Sequence, residues 1–413
     1  VHLLAVFVPG KVKFAVGGKR PRAAILVRTS AGDDLRVSGT DALTTAGRPT
    51  RWSDRVLDDK LWKPVVADPG SGAPFPSSGA FLLRRAFEVR KPFRVVRLYM
   101  TALGAYVPMM NGHRVGDKIM APEWTDFRRH VLYRAYDVTD LLRQGHNTLG
   151  AIVGDGWYGS YMAPNGRFGF GGAPLRLRAQ LVIEYADGTQ DTVATDEQWS
   201  VSPSCVTSSE IYDGETVDAR LDQPDWVEPE RSADDARWQP ANAVRTPLIT
   251  LLGATLPPIS PSMTLKPVSL KRQSDGSVVA DFGQNFAGWV SLRMRGRSGQ
   301  QVRIRYAELL GNDGSVDQSN LRAAKSTDTY IMRGAPEGEV FEPLFTYHGF
   351  RYVQLEGLET PLIADDLEGV VVHSQLPEIG QLTLSQHVPQ RLWENALWSQ
   401  RSNFFGTSYS NGG

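Results

Sequence analysis

The densest group of chemically competent side chains is a short acidic segment. Glu210, Asp213, Glu215 and Asp218 place four carboxylates within nine positions, and Arg220 follows them. Clustered carboxylate oxygens suit a hard cation such as Ca²⁺ or the hydroxyl groups of a polyol, and Asp213 and Glu215 are the candidate metal ligands. The favoured interpretation is a turn whose carboxylates accept backbone N–H bonds or pair with Arg220. A catalytic carboxyl pair must face across a cleft, which positions on one turn rarely do.

A second group combines loop aromatics with carboxylates. Trp124 stands two residues before Asp126, and Asp155 stands two residues before Trp157, in segments rich in Gly and Asp. An indole ring can stack on the apolar C–H face of a sugar while a neighbouring carboxylate accepts hydrogen bonds from its hydroxyl groups. We therefore predict carbohydrate binding by these four residues. The alternative, in which each tryptophan anchors the core of a β-sandwich, is the more common use of such a residue.

The remaining motifs favour structural roles. Residues 312–317 resemble the start of a calcium loop but lack its distal Glu, so a hairpin turn is predicted there. Cys205 is the only cysteine, which excludes an internal disulfide and favours a small buried hydrophobic side chain. The seven histidines are scattered, and no pair has the spacing of metal ligands.

Composition limits the partners. The 45 basic and 45 acidic side chains cancel, which argues against a nucleic-acid partner, and no apolar run approaches the length of a membrane span. Residues 1–9 are apolar without a basic n-region or a cleavage site, so they are interpreted as a strand. The absence of an initiator Met leads us to expect upstream sequence or an unusual start. The cellular location stays open, and a periplasmic or secreted protein would fit a signal upstream.

Local periodicity predicts an all-β protein. Residues 175–185 alternate between apolar and polar side chains, and Asp187-Gly188 follows as a hairpin turn. Residues 302–306 and 351–355 repeat this alternation. Because strands do not alternate with helices along the chain, a parallel α/β sheet is not expected.

One helix is predicted, at the C-terminal end of the chain. Val388, Leu392 and Ala396 recur every four residues, and Pro389 fits only the first turn, so the helix should run from about Pro389 to Phe404. An amphipathic helix without a helical neighbour is an orphan element. We expect it to fold back onto the β structure, to pair with a second copy, or to fray.

Several long motifs in a fixed order resemble bacterial α-L-rhamnosidases over about residues 80–404. The motifs similar to the N-terminal β-domain of that family are MNGHRVG (110–116), PEWTDF (122–127), YDVT (136–139), GDGWY (154–158) and IYDGE (211–215). Those similar to the β-sandwich that follows are DFGQNFAGW (281–289) and FTYHGFRY (345–352). Residues 391–404 are similar to the first helix of the family's (α/α)₆ catalytic barrel.

The resemblance implies a domain organisation. An accessory N-terminal β segment should occupy residues 1–79. A jelly-roll domain of the galactose-binding-like kind should follow at 80–255, and a concanavalin-like β-sandwich at 256–378. Residues 379–413 would be the start of a truncated helical catalytic domain.

The resemblance also implies a function. After Phe404 the family continues with a Pro-Thr-Asp-Cys-Pro-Gln-Arg-Asp-Glu-Arg stretch that helps to form the acidic site, and a different segment begins here at Phe405. No catalytic residue is therefore assigned, and the chain alone is predicted to be inactive. The whole enzyme would hydrolyse terminal α-L-rhamnosides with inversion.

Ligands are expected on the same grounds. The implied partners are rhamnose-containing glycosides or oligosaccharides, and no cofactor is required. In some relatives the jelly roll is a calcium-dependent rhamnose-binding module, so Ca²⁺ in this domain is an open expectation. The alternative function is a free-standing, rhamnose-binding β-sandwich protein.

Overall fold

The computed structural model describes residues 79–162, 166–170, 174–230, 236–244 and 249–406, together with four short strands nearer the N-terminus. The chain forms two compact units, Val1–Asp59 and Lys60–Gly413. The strands described in the first unit form one antiparallel sheet: β1 (Val12–Ala15), β2 (Ala24–Arg28) and β3 (Asp34–Val37). The strand expected at residues 1–9, and most of the accessory segment predicted over 1–79, lie outside the described residues.

Two facing sheets form the first half of the second unit. The six-stranded sheet has the order β16-β13-β5-β10-β7-β8, and its strands are β5 (Phe81–Val89), β7 (Ala105–Met110), β8 (His113–Arg114), β10 (Gly145–Gly154), β13 (Ser200–Pro203) and β16 (Gln239–Pro240). The seven-stranded sheet has the order β17-β4-β11-β6-β9-β18 with β12 beside β11, and its strands are β4 (Val65–Val66), β6 (Phe93–Leu103), β9 (His130–Asp137), β11 (Arg176–Tyr185), β12 (Gln190–Ala194), β17 (Asn242–Ala243) and β18 (Thr250–Gly253). Leu98, Leu149 and Trp199 are fully buried between them.

The strand predicted at 175–185 is β11, and the predicted turn joins it to β12 in an antiparallel hairpin. Gly188 supplies the positive φ, 82°, that this turn requires. The strand is more deeply buried than its alternation indicates. Arg178 and Gln180 lie on the polar positions, yet each is only 6% exposed, so both faces of β11 are covered.

A ten-stranded sheet forms the second half of the unit. Its order is β14-β15-β25-β22-β27-β21-β28-β19, with β20 and β26 beside β21. Its strands are β14 (Val206–Glu210), β15 (Gly214–Asp218), β19 (Ile259–Leu265), β20 (Ser269–Arg272), β21 (Val278–Met294), β22 (Gln301–Ala307), β25 (Thr327–Ile331), β26 (Glu339–Phe341), β27 (His348–Glu356) and β28 (Leu367–Ser374). The short hairpin β23 (Leu309–Leu310) and β24 (Val316–Asp317) encloses the turn predicted at 312–317. The all-β fold is thus confirmed.

The hairpin β14–β15 crosses between the two halves. It precedes the predicted boundary near residue 255, but β15 pairs in parallel with β25, and Thr216, Val217 and Asp218 lie opposite Thr329, Tyr330 and Ile331. The apolar core beneath is also shared. Val107 and Val206 from the first half pack in one cluster with Phe345 and Phe350 from the second. Backbone hydrogen bonds and core packing therefore join the two halves.

The described residues include a single turn of helix, α1 (Gly156–Gly159), and one longer helix, α2 (His387–Asn403), close to the predicted bounds. Neither has the length and apolar character of a membrane-spanning helix. Helix α2 folds back along β21 and β28, which is one of the three outcomes expected for it. Trp398 packs against the sandwich core, while Val388 and Leu392 on the same helix are 75% and 70% exposed.

The segment after α2 is anchored at the junction of the two halves. The Phe404 carbonyl accepts a hydrogen bond from the Ser374 N–H at 2.7 Å, and the Gly406 N–H donates to the Ser374 hydroxyl at 2.8 Å. Phe405 is only 8% exposed and stacks on the Tyr347 ring, with 4.0 Å between the ring centroids. Phe405 belongs to the core of the first half, so the end of the helix is tied to both domains.

We expect Phe405→Ala to destabilise the protein. Removing a buried aromatic ring from a packed core costs about 3 kcal/mol or more of unfolding free energy. Urea denaturation followed by tryptophan fluorescence measures this loss. Leu392→Ala is the matched control in the same helix, and it should change the free energy by less than about 0.5 kcal/mol because its side chain is exposed. Equal effects of the two substitutions would contradict the anchoring role.

Candidate functional site

The acidic segment spans the end of β14, the tight turn at residues 211–213 and β15. Glu210 is 4% exposed and its carboxylate collects backbone donors. Its Oε1 accepts the Tyr161 N–H at 2.7 Å, and its Oε2 accepts the N–H groups of Tyr212 and Asp213 at 2.7 and 3.1 Å. The sequence predicted a turn whose carboxylates accept backbone N–H groups, and Glu210 forms hydrogen bonds of this kind. Its carboxylate replaces the backbone acceptors that a tight turn lacks.

Two further carboxylates of this segment form ion pairs. Asp218 accepts from the Arg220 guanidinium at 2.7 and 2.9 Å, and this bond lowers the pKa of the carboxyl. Asp213 pairs with the Lys325 ammonium. Within the described residues, no group of three or more His, Cys, Asp or Glu side chains is arranged to hold a metal ion. Asp213 and Glu215, the candidate ligands, point to different partners.

Glu215 is a buried carboxyl group. The residue is 0% exposed, and its Oε2 accepts the N–H groups of Leu344 and Phe345 at 3.0 and 2.9 Å. Its Oε1 has no hydrogen-bond partner among the described residues. Burial first, and then the nearby charge of Asp328, raise the pKa of Glu215 to about 8, so this side chain keeps its proton at neutral pH.

A chain of polar contacts continues from Glu215 into the sandwich. Asp328 is 0% exposed, and its Oδ1 accepts the Glu215 N–H at 2.8 Å while its Oδ2 accepts the Tyr306 hydroxyl at 2.8 Å. His348 Nε2 lies 3.1 Å from the same Oδ1, and His348 Nδ1 lies 3.1 Å from the Ser326 hydroxyl. Because a carboxylate only accepts, Nε2 donates, and in the neutral imidazole Nδ1 accepts from Ser326.

Ser326, His348 and Asp328 therefore have the residue types of a hydrolytic triad, but their surroundings indicate a structural role. Ser326 is 6% exposed, which leaves little access for a substrate. The Ser326 N–H donates to the Tyr212 carbonyl and the Thr327 N–H to the Asp213 carbonyl, so both adjacent N–H groups that could stabilise an oxyanion are already bonded. The network fixes the turn after β14 to β25 and β27.

The predicted sugar-binding tryptophans lie side by side. The ring centroids of Trp124 and Trp157 are 5.6 Å apart, and Phe170 meets Trp124 edge-on at 6.2 Å. Trp157 is only 3% exposed, however, and belongs to the core of the first half, whereas Trp124 is partly buried against it. This placement favours the alternative in which these rings anchor the sandwich.

Asp155 is also buried. It is 1% exposed, its Oδ2 pairs with the Arg167 guanidinium at 2.5 Å, and its Oδ1 has no partner among the described residues. Burial raises its pKa to about 6, although the Arg167 charge opposes the shift. Asp126 differs, because it lies nearer the surface and accepts from Arg128 at 2.8 and 3.2 Å, a contact that lowers its pKa.

Sequence reasoning missed the aromatic contacts that connect these loops to the helix. Trp157 lies 6.0 Å from Tyr347 between ring centroids, and Tyr347 stacks on Phe405. Tyr347 stands in a motif quoted for its family resemblance, but its spacing from Trp157 gives no sign of contact. The two rings meet only because the two halves pack together.

Comparison with known proteins agrees with the fold and the motifs. Residues 91–262 match the α-L-rhamnosidase N-terminal domain, and residues 271–373 match the bacterial α-L-rhamnosidase concanavalin-like domain. The chain is 36% identical to an α-L-rhamnosidase of Streptomyces avermitilis over 92% of its own length, and 33% identical to one of Formosa agariphila over 78%. It spans 38% and 35% of those two relatives.

Solved structures give the same result. The crystal structure of the Streptomyces avermitilis α-L-rhamnosidase complexed with L-rhamnose covers 94% of the chain with a TM-score of 0.77, and the chain spans 38% of it. The α-L-rhamnosidase from Dictyoglumus thermophilum matches with the same TM-score at 33% identity, and the chain spans 40% of it. The two matches together define a chain in which an α-L-rhamnosidase N-terminal domain is followed by a concanavalin-like domain. The chain belongs to the bacterial α-L-rhamnosidase family and corresponds to its N-terminal portion.

The buried carboxyl of Glu215 predicts a pH dependence. Its folded pKa is about 8 and its unfolded pKa is near 4.5, so between these values the folded state holds a proton that the unfolded state has lost. The free energy of unfolding should therefore fall as the pH rises, by about 1 kcal/mol between pH 6.5 and 7.5 from this group. Glu215→Gln, which resembles the protonated acid, should remove this part of the slope.

Denaturant titrations at several pH values measure the slope. Asp187→Asn is the control, because the hydrogen bonds of Thr189 hold the pKa of exposed Asp187 at about 2 and its titration is complete well below this window. An identical slope in wild type and Glu215→Gln would show that Glu215 is ionised in the folded protein.

Proposed function

We propose that this chain is the non-catalytic N-terminal portion of an enzyme that hydrolyses terminal α-L-rhamnosides. The observation that carries the proposal is the match to both non-barrel domains of the family, in the family's order, over the N-terminal part of each relative. In this role the β-domains support and shape the sugar site of the complete enzyme.

The electrostatics of the carboxyl groups support the non-catalytic assignment. An inverting glycosidase needs a carboxylic acid and a carboxylate that face each other across the bound sugar, about 6.5–9.5 Å apart. The described carboxyl groups with raised pKa are Asp155 and Glu215, and these residues are 1% and 0% exposed. Neither can reach a glycosidic oxygen without unfolding its surroundings.

The C-terminal helix supports a scaffold role. Helix α2 is held on β21 and β28, and Phe405 anchors its end at the domain junction, while Val388 and Leu392 remain exposed. An apolar stripe on a helix is a packing surface for other helices. We propose that the helical catalytic domain of the family packs against this stripe.

Rhamnose-containing glycosides are the proposed substrates of the complete enzyme. The support is the relatives' activity and the structure of one of them in complex with L-rhamnose. A free-standing rhamnose-binding protein is the alternative, and the cluster of aromatic residues around Trp124 motivates it. The two functions differ in whether this chain needs a catalytic partner domain.

This chain alone should not hydrolyse an aryl α-L-rhamnoside. General acid–base groups contribute about 10²–10⁴-fold each to the rate of such reactions, and the two described carboxyl groups with a raised pKa, Asp155 and Glu215, are buried. Release of the aryl alcohol from purified protein is measured against buffer. Turnover that follows the protein through a second purification would overturn the non-catalytic assignment.

Calcium in the jelly-roll domain remains an open proposal, and the fold is not expected to require it. A tightly bound ion would stabilise the folded state by mass action. We expect the melting temperature in excess EDTA to match that in millimolar CaCl₂ within about 1 °C. A loss of several degrees in EDTA, reversed by CaCl₂, would establish a structural calcium ion.

A further inference from the structure

The β14–β15 hairpin lies at the edge of the ten-stranded sheet. Strand β14 is the outermost strand in the sheet order, and β15 follows it and pairs next with β25. The parallel ladder between β15 and β25 has three residue pairs. Detachment of the hairpin from β25 would therefore break one short ladder and leave the rest of the sheet order paired.

The hairpin has separate attachments to the first half. The Ala80 N–H, just before β5, donates to the Val206 carbonyl of β14 at 2.8 Å. Glu210, at the end of β14, accepts the Tyr161 N–H at 2.7 Å. Neither bond involves the second half, so the hairpin would stay with the first half if its contact with β25 opened.

Glu215 of β15 lies at this contact in a position that suits only its protonated form. Its Oε2 accepts the N–H groups of Leu344 and Phe345, and its Oε1 is buried with no hydrogen-bond partner among the described residues. In the acid, Oε2 is the carbonyl oxygen that accepts both N–H groups, and the proton lies on Oε1. Ionisation would leave Oε1 as a buried charged oxygen without a donor, which is costly.

The groups that face Glu215 do not compensate such a charge. Asp328 of β25 is the nearest, since its Oδ1 accepts the Glu215 N–H at 2.8 Å, and its charge opposes a second one. Tyr306 of β22 and His348 of β27 both contact Asp328. Burial raises the pKa of Tyr306 well above its ordinary value, so this phenol is neutral. An ionised Glu215 would therefore meet a second carboxylate in a buried site.

We propose that the contact between β15 and β25 is a pH-sensitive seam, which opens when Glu215 ionises and releases the hairpin from the second half while it stays attached to the first. This junction seam consists of the β15–β25 ladder and the hydrogen bonds of Glu215 and of the turn at residues 211–213. Opening lets water solvate the carboxylate, and it is a local event rather than global unfolding. The inference goes beyond the proposed function, because it concerns only contacts within this chain.

The direction of the pH effect follows from the two states of the seam. In the closed seam the pKa of Glu215 is raised to about 8, chiefly by burial, and in the open seam it should return towards its ordinary value of 4.5. Between these values the closed seam holds a proton that the open seam has lost. The open population should therefore rise with pH, by about tenfold or more from pH 6 to pH 8, and level off above about pH 8.

The test is native-state hydrogen exchange of the full chain, followed by NMR from pH 6 to pH 8 and corrected for the intrinsic exchange rate. The amides of Glu215, Ser326, Thr327, Leu344 and Phe345 report on the seam, because their N–H groups form bonds across it. Their protection should fall about tenfold or more over this range and depend little on low urea concentrations, since a local opening exposes little surface.

The amides between β6 and β11 are the internal control for global unfolding. They lie in the core of the first half and should exchange more slowly than the seam amides, with a steep dependence on urea. Because seam and control amides belong to one wild-type protein, this comparison stands even if a variant fails to fold.

Two matched variants identify the titrating group. Glu215→Gln, which resembles the protonated acid, should remove the pH dependence of exchange at the seam. Glu339→Gln is the control, at another buried carboxyl group of the same sheet. Although burial opposes the shift, backbone N–H groups of residues 333–335 lower the pKa of Glu339, so its titration lies below this range and the seam should keep its wild-type pH dependence.

The only cysteine of the chain gives a second measurement. Cys205 packs against the core that the two halves share. Its labelling by iodoacetamide should accelerate more between pH 6 and pH 8 in wild type than in Glu215→Gln. Burial first, and then the charges of Asp222 and Glu215, raise the pKa of Cys205 to about 12. An ionised Glu215 in a closed seam would thus slow the labelling, so a faster reaction reports opening.

Three results would overturn the junction seam. The first is seam amides with the same protection and urea dependence as the control amides, which would place the titration of Glu215 in global unfolding alone. The second is local opening that does not change with pH. The third is Cys205 labelling with the same pH dependence in wild type and Glu215→Gln.

Discussion

The parallel pairing of β15 with β25 is the constraint on which the junction of the two β-domains depends. Three facing residue pairs carry a strand of the first half into the sheet of the second. Asp328 accepts the Glu215 N–H from the first half, and the Glu215 side chain accepts two N–H groups from the second, so hydrogen bonds run in both directions across the pairing. Leaving either carboxyl group without these partners would cost the full desolvation of a buried polar group.

This junction also explains why so many polar groups are buried together. Tyr306, Ser326 and His348 satisfy the hydrogen-bonding groups of Asp328 and of the loop before β25. The same contacts hold the turn after β14 in place, and through Glu210 they reach the loop at Tyr161. A single connected network of hydrogen bonds therefore fixes both the turn after β14 and the loop at Tyr161.

Local features of the fold were predictable from the sequence. The alternation at 175–185, the Asp-Gly turn after it, the turn at 312–317 and the helix near 389–404 all appear close to the expected positions. Each depends on side-chain periodicity or turn chemistry within a few residues. The sheet that a strand joins is a non-local property, so nothing within residues 206–218 indicates that this hairpin pairs with a strand more than 100 residues later.

In the candidate site, too, local contacts were predictable from the sequence and contacts between distant segments were not. A turn in which carboxylates accept backbone N–H groups was expected for the acidic segment, and Glu210 has these bonds because they are local. Burial of Trp157 was the alternative that the sequence left open, whereas the burial of Asp155 could not be deduced, since loop composition does not reveal what packs over a loop. Ser326 and Asp328, at the start of β25, meet His348 of β27 although β22 lies between these two strands in the sheet order, and the spacing of the three residues in the sequence matches no motif.

The pairing of β15 with β25 has a consequence for the synthesis of the protein on the ribosome. Asp328, which accepts the Glu215 N–H, is 113 positions further along the chain. At ordinary translation rates that distance takes roughly 6 to 20 seconds to emerge from the ribosome. During this interval the nascent first half presents β15 as an unpaired strand edge, the kind of edge that recruits foreign strands. Completion of the first half therefore depends on the arrival of the second, and the two halves fold as a single unit.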